Sequence, residues 1–171
     1  LFPNFALARE KSAHCDCVCK MQIKMKQTTE IDKQVFRHRM PAQLRFSDVD
    51  RFGHVNNSVY FSLFDMCKTH YFNDVVGTDI FDRMAPVVVH IEANFISPVF
   101  FPDEIVIDTA VTHLGNKSFT LLQRALNERT GEVKCYSETV MVMIDTVRNE
   151  SVEISNDFRH RIKEYEEESV C

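Results

Sequence analysis

The sequence predicts a two-layer α+β domain in which an antiparallel sheet wraps one long helix. Two observations predict it. A single stretch from Asn56 to about Val76 carries apolar residues at helical spacing. After it come four stretches of strand character, most of them alternating with a period of two and joined mostly by short turns. One strand, one long helix and then four strands are satisfied by a helix packed on one face of an antiparallel sheet.

Taken in order, residues 1–34 read as a disordered or non-native leader outside the core, with Met21 or Met25 as a natural start. They are polar, charged and without sustained periodicity. Cys15, Cys17 and Cys19 within "HCDCVC" could hold a soft metal, but one such cluster without a second is weak for a structural zinc site. Residues 35–171 read as a single domain. "VFRHRMPAQLRFS" alternates, with Phe36, His38 and Met40 on one side, and Pro41 suits an edge strand. The helix follows, with Tyr60, Leu63, Phe64, Cys67, Tyr71 and Val75 inward and a narrow polar stripe of Ser58, Ser62, Asp65, Thr69 and Asn73. A helix this apolar is expected to be largely enclosed. Gly77 is its expected stop.

In "PVVVHIEANFIS", Val87, Val89, Ile91, Ala93 and Phe95 are expected to share a face, with His90 opposite. "DEIVIDTAVTHL" places Ile105, Ile107 and Val111 together, and Gly115-Asn116 signals a hairpin into "KSFTLLQRAL". "NERTGE" is a turn before "VKCYSETVMVMID". Residues 156–168 read as a charged helix, with "EYEEES" a solvated end. The Phe pair in "VFFPDE" reads as turn and core packing, with acyl-pocket lining as the lesser option, and Lys117 and Arg124 as solvated hairpin charges or phosphate contacts. A single sheet layer leaves edges to be managed, which favours a dimer.

The totals narrow the function. A chain of 171 residues can bury a core without staples. A net charge of -5 gives no support to nucleic-acid binding, which needs a basic face. Six cysteines without the spacing of a small secreted domain point to a reducing, cytoplasmic setting. No apolar run approaches the ~20 residues that span a bilayer, and "LFPNFALARE" lacks the basic start of a signal peptide.

Chemistry concentrates in "RFSDVDRFGHVNNSVY", residues 45–60. A helix beginning near Asn56 offers free backbone N–H groups and a partial positive charge, which favour a developing oxyanion. Asp48 and Asp50 stand just upstream, and either carboxylate could attack an acyl carbon or activate water. Gly53 allows a tight turn or close substrate approach. Asn56 and Asn57 could cap the helix or donate to a carbonyl. The plainer alternative is that Asp-x-Asp before a helix is ordinary turn and capping chemistry, His54 a loop histidine, and Asp65 an interface residue.

The stretch "RFSDVDRFGHVNNSVYFSLFDMCKTHYF" resembles the signature of the 4-hydroxybenzoyl-CoA thioesterase-like group of the hotdog superfamily. The resemblance runs from about Val35 to Ile154 and takes in "EANFISPVFFPDEI" and "GNKSFTLLQRAL". It implies a hotdog fold, a homodimer or homotetramer, and hydrolysis of acyl-CoA or acyl-carrier-protein thioesters without metal or redox cofactor, coenzyme A being part of the substrate. Asp50 matches the catalytic aspartate. Asn57 lies where a backbone N–H faces the thioester carbonyl, and His54 would position Asp50 or the acyl group. Substrate contacts are implied at Gly53, Asn56, Tyr60, Asp65, Lys117 and Ser118. The chain departs from the pattern at Pro102, where Gly is frequent before the residue matching Asp103, at Asp65 and Lys68, and at Gly115 and Asn116, where the hydroxybenzoyl enzyme has basic residues. Two rivals stand beside this reading: a hotdog hydratase or dehydratase using Asp50 with His54, and a non-catalytic acyl-CoA-binding module.

Overall fold

The structure is a computed structural model describing residues 34–167. Residues 1–33, with Cys15, Cys17 and Cys19 and most of the stretch expected to be a leader, lie outside the described residues. The described chain runs β1 (His38–Ala42), α1 (Asn57–Tyr71), β2 (Met84–Phe95), β3 (Ile105–Leu114), β4 (Ser118–Asn127), β5 (Val133–Asp145), β6 (Glu150–Ser151) and α2 (Asn156–Tyr165). The strand order is β1-β3-β4-β5-β2, every pairing is antiparallel, and β6 lies beside β5. The sheet curls around α1 as expected.

Helix α1 starts at Asn57 because Asn56 caps it. The Asn56 Oδ1 accepts from the Ser58 N–H at 3.0 Å, which satisfies one orphan donor of the first turn. Tyr60, Leu63, Phe64, Cys67 and Tyr71 are buried at the spacing the sequence sets. A π-helical turn, Phe72–Val76, then rotates the apolar register, so Phe72 and Val76 reach the core more fully than Val75. Gly77 ends it at φ +80°. Enclosure of the helix is one-sided within the chain: Phe61 and Met66 remain 39% and 38% exposed.

Two apolar clusters divide the interior. One joins the start of α1 to β3, Ala125 and Cys135; the other joins its end to Phe119, Met141, Met143 and the α2 residues Phe158 and Ile162. Helix α2 is stapled by Arg159, which donates to the Gly115 and Asn116 carbonyls, and by Arg161, which donates to the Val76 carbonyl and to Asp79.

Several expectations change. A bulge between Val88 and His90 breaks the alternation of β2, so Val88 and Ile91 line one groove and the predicted common face of Val87, Val89 and Ile91 is not kept. His90 is exposed on this edge strand. Glu166, assigned to a solvated end, is 2% exposed and accepts from the Tyr71 hydroxyl at 2.7 Å and the Val111 N–H at 3.2 Å. A second bulge, between Val111 and His113, adjoins this contact. Arg124 is not a solvated charge: it shares the buried Asp108 carboxylate with Arg39, tying β1, β3 and β4 together. Phe100 and Phe101 are half-exposed rather than core.

Candidate active site

The loop between β1 and α1 closes on itself through the main chain. The Asp50 N–H donates to the His54 carbonyl at 2.7 Å, the Gly53 N–H to the Asp50 carbonyl at 3.0 Å, and the Asn56 N–H to the Asp48 carbonyl at 2.9 Å. Gly53 sits at φ +80°, a conformation that L side chains rarely adopt. Isolated bridges join Val49 to Val55 and His54 to Phe100, and the Val55 N–H donates to the Val99 carbonyl at 2.9 Å. The loop is thereby pinned to the turn before β3.

Asp50 stands exposed on this frame. Its Oδ1 accepts from the Phe52 N–H at 2.7 Å and the His54 N–H at 3.2 Å. Its Oδ2 meets no donor among the described residues, so one oxygen is fixed and the other is open to react. His54 therefore holds Asp50 through its main chain; its ring packs edge-to-face on Phe100 at 4.9 Å. Asp48 is spent locally, its carboxylate accepting from the Arg45 N–H at 2.7 Å.

Asn57 opens α1 and is exposed. The next N–H is taken by the Asn56 cap and that of Val59 by the Asn56 carbonyl. Among the described residues the Asn57 N–H has no acceptor. A free donor at a helix start can bind a carbonyl oxygen, and the Asp50 carboxylate upstream in the same pinned loop keeps an oxygen with which to attack.

The remaining candidates disperse. Tyr60 is in the core, 3% exposed, and burial pushes its phenol up to about 12. Asp65 lies on the exposed stripe, where its Oδ1 receives Lys68 Nζ at 2.5 Å. Asp65 and Lys68 line a groove of about 580 Å³ between α1 and β2, with Phe61, Phe64, Val88 and Ile91. Lys117 and Ser118 lie at the other end of the sheet from Asp50: the ten residues of β3 separate the two ends by roughly 30 Å. Lys117 Nζ donates there to the Ser151 carbonyl at 3.1 Å. Among the described residues no group of three His, Cys, Asp or Glu side chains is placed to hold a metal ion, and no helix is long and apolar enough to cross a membrane.

The family model described as the thioesterase-like superfamily matches residues 44–162. The chain belongs to the thioesterase-like superfamily. Solved structures match it over most of their length. A protein from Pseudomonas aeruginosa strain PAO1 is 27% identical, covering 76% of this chain and 92% of its own at a TM-score of 0.70. A Thermus thermophilus thioesterase complexed with coenzyme A and Zn is 24% identical (77% and 96% covered, TM-score 0.69). A Synechocystis 1,4-dihydroxy-2-naphthoyl-CoA thioesterase is 13% identical (73% and 94% covered, TM-score 0.64). No curated protein matches. The hotdog fold is thus established for this thioesterase-like chain, its curled sheet holding α1 as the central helix.

The sequence located the loop, the Asn56 cap and the start of α1. It missed the donors that fix Asp50, which are main-chain groups, and it missed Gln123, which lines the groove. The signal for Gln123 was available: a polar residue at an inward position between Leu121 and Ala125.

Proposed function

We propose that the protein hydrolyses acyl thioesters to a free acid and a thiol, with Asp50 as the reacting carboxylate. The observation that carries this reading is that the loop pinned ahead of α1 leaves Asp50 Oδ2 without a donor, while the Asn57 N–H at the helix start has no acceptor among the described residues. In the nucleophilic route Oδ2 forms a bond to the thioester carbon while the carbonyl electron pair moves onto oxygen. The Asn57 N–H and the helix dipole stabilise that oxyanion. Collapse breaks the C–S bond, the thiolate leaves, and water hydrolyses the mixed anhydride. In the general-base route Oδ2 takes a proton from water as the water oxygen attacks.

Coenzyme A is the proposed carrier, in keeping with the coenzyme A bound by the Thermus relative; acyl-carrier protein is the alternative. A homodimer completes the site. Edge strand β2 exposes Val88, Val89, Ile91 and Phe95, and an unpaired apolar edge invites a second copy. In the sheet, Val87 is level with Val142 and so with Ser118, while Phe95 is level with Cys135 toward the Asp50 end. Antiparallel pairing of two β2 edges would set those ends against each other. The partner's Lys117 and the partner's Ser118 would then approach the Asp50 end of this chain.

The test is thiol release from short, long and aromatic acyl-CoAs, together with the sedimentation mass. Hydrolysis by a dimer or larger assembly is expected. Absence of thiol release from every acyl-CoA and carrier-protein thioester would overturn the reading; loss of enoyl absorbance without thiol release would favour a hydratase.

A further inference from the structure

Beneath the middle of α1, three polar side chains cross the sheet in register where apolar residues are expected. Thr109 on β3 pairs with Gln123 on β4, and Gln123 pairs with Ser137 on β5. All three are buried, at 0%, 1% and 0% exposure. Ser137 Oγ has no hydrogen-bond partner among the described residues. Buried polar groups are ordinarily satisfied, and a row that is only partly satisfied calls for a reason.

Gln123 supplies one. Its Nε2 donates to the Phe64 carbonyl at 2.9 Å and to Thr109 Oγ1 at 3.1 Å. A main-chain carbonyl can only accept, so the amide cannot be flipped. Both N–H groups are spent, and the remaining polar atom is the acceptor Oε1. No donor among the described residues reaches it, yet it is not sealed in the way Ser137 Oγ is. Gln123 lines the α1–β2 groove, whose other walls include Phe61, Phe64, Val88 and Ile91.

We infer that Gln123 is a specificity-determining residue: its Oε1 is a fixed acceptor on the floor of the α1–β2 groove that selects acyl groups carrying a distal hydroxyl or N–H donor. This rests on the thioesterase reading for the identity of the ligand. Water satisfies Oε1 while the groove holds no acyl chain. A plain alkyl tail displaces that water and leaves the acceptor unpaired, whereas a tail with a donor restores the bond. Gln123 meets the helix at Phe64, seven residues past Asn57, so the donor belongs roughly 10 Å along the groove from the carbonyl site. It is a group near the far end of a medium-length acyl chain, not one beside the thioester.

The test uses non-hydrolysable thioether analogues of octanoyl-CoA and ω-hydroxyoctanoyl-CoA, with calorimetric binding to the wild type and to Gln123→Met. The wild type is expected to prefer the hydroxylated analogue about tenfold, the size of one neutral hydrogen bond. Gln123→Met is expected to bind the two within about twofold. Equal binding by the wild type overturns the inference and needs no variant. Preference that survives in Gln123→Met overturns it too, pointing to Asp65 or Thr139 as the reader, and so does failure of both analogues to bind. Thiol release from the matching thioesters, run in parallel, reports on hydrolysis alone: no turnover with the preference intact sinks the hydrolytic reading and leaves this one standing.

Discussion

Gly53 and Gly77 share φ +80° but differ in what surrounds them. A Cβ at Gly53 meets nothing within 4 Å; at Gly77 it falls 2.7 Å from Asp79 Oδ1 and 2.8 Å from Arg161 Nη1. Gly53→Ala therefore carries conformational strain alone, about 1–2 kcal/mol for an L residue in the left-handed region. For a domain of this size that is a drop in Tm of about 3–7 °C. Gly77→Ala carries at least the same strain and also displaces the Arg161 fork that ties α2 to the end of α1, so it should melt lower still. Activity should rank the other way. Gly53 lies between Phe52 and His54, whose N–H groups fix the Asp50 carboxylate. Relaxing that turn misplaces Oδ2, and small misplacements of a reacting atom cost about tenfold to a hundredfold in rate. Gly77 is at the far end of α1, and its variant should keep kcat/KM within about twofold below its melting range. The assay pairs thermal unfolding with thiol release for both variants. Equal loss of Tm, or full activity in Gly53→Ala, would refute the reasoning.

Other outcomes follow from the same contacts. Burial pushes the Cys67 thiol up to about 11 and Cys135 up to about 12, so at pH 8 only about a thousandth or less of either is thiolate. Peptide mapping after iodoacetamide treatment should find both unlabelled in the native protein and labelled after denaturation. Burial also raises the Glu166 carboxyl above its ordinary range. The folded state then holds a proton that the unfolded state releases, so stability falls as pH rises from the ordinary carboxylate pKa through the raised one. Glu166→Gln should flatten that slope in urea melts across pH 4 to 8, and an unchanged slope would count against it. Asn56→Ala removes the α1 cap and should lower stability by about 1 kcal/mol in chemical denaturation; no loss would mean that the cap contributes little.

What the sequence revealed follows physical rules of different range. Tyr60, Leu63, Phe64, Cys67 and Tyr71 recur every three or four residues because one helix face must bury, so α1 was legible, as was its start at the Asn56 cap. The hairpin at Gly115 was legible because turns need particular residues. The bulge at Val88–His90 was not: it sits inside a run of three valines, and nothing local marks where one residue goes unpaired. Glu166 looked solvated because its neighbours Glu164 and Glu167 are charged; its burial depends on Tyr71, far away in sequence. The Asp50 clamp escaped for another reason, since Phe52 and His54 contribute main-chain N–H groups that every residue but proline possesses. Lys117 and Asp50 share one motif set but stand at opposite ends of the sheet, a separation that only the strand register could reveal.

The most direct test of the central claim is hydrolysis by wild type and Asp50→Asn side by side, on the thioester the wild type cleaves fastest. Asparagine retains an oxygen to accept from the Phe52 and His54 N–H groups, so the loop should stay folded, while the reactive Oδ2 becomes an amide nitrogen. A folded variant with hydrolysis reduced about a thousandfold or more is the predicted result, in line with loss of a positioned base or nucleophile. A folded Asp50→Asn that hydrolyses at the wild-type rate would contradict the assignment and move the chemistry to another carboxylate, with Asp65 and Asp48 next to be replaced.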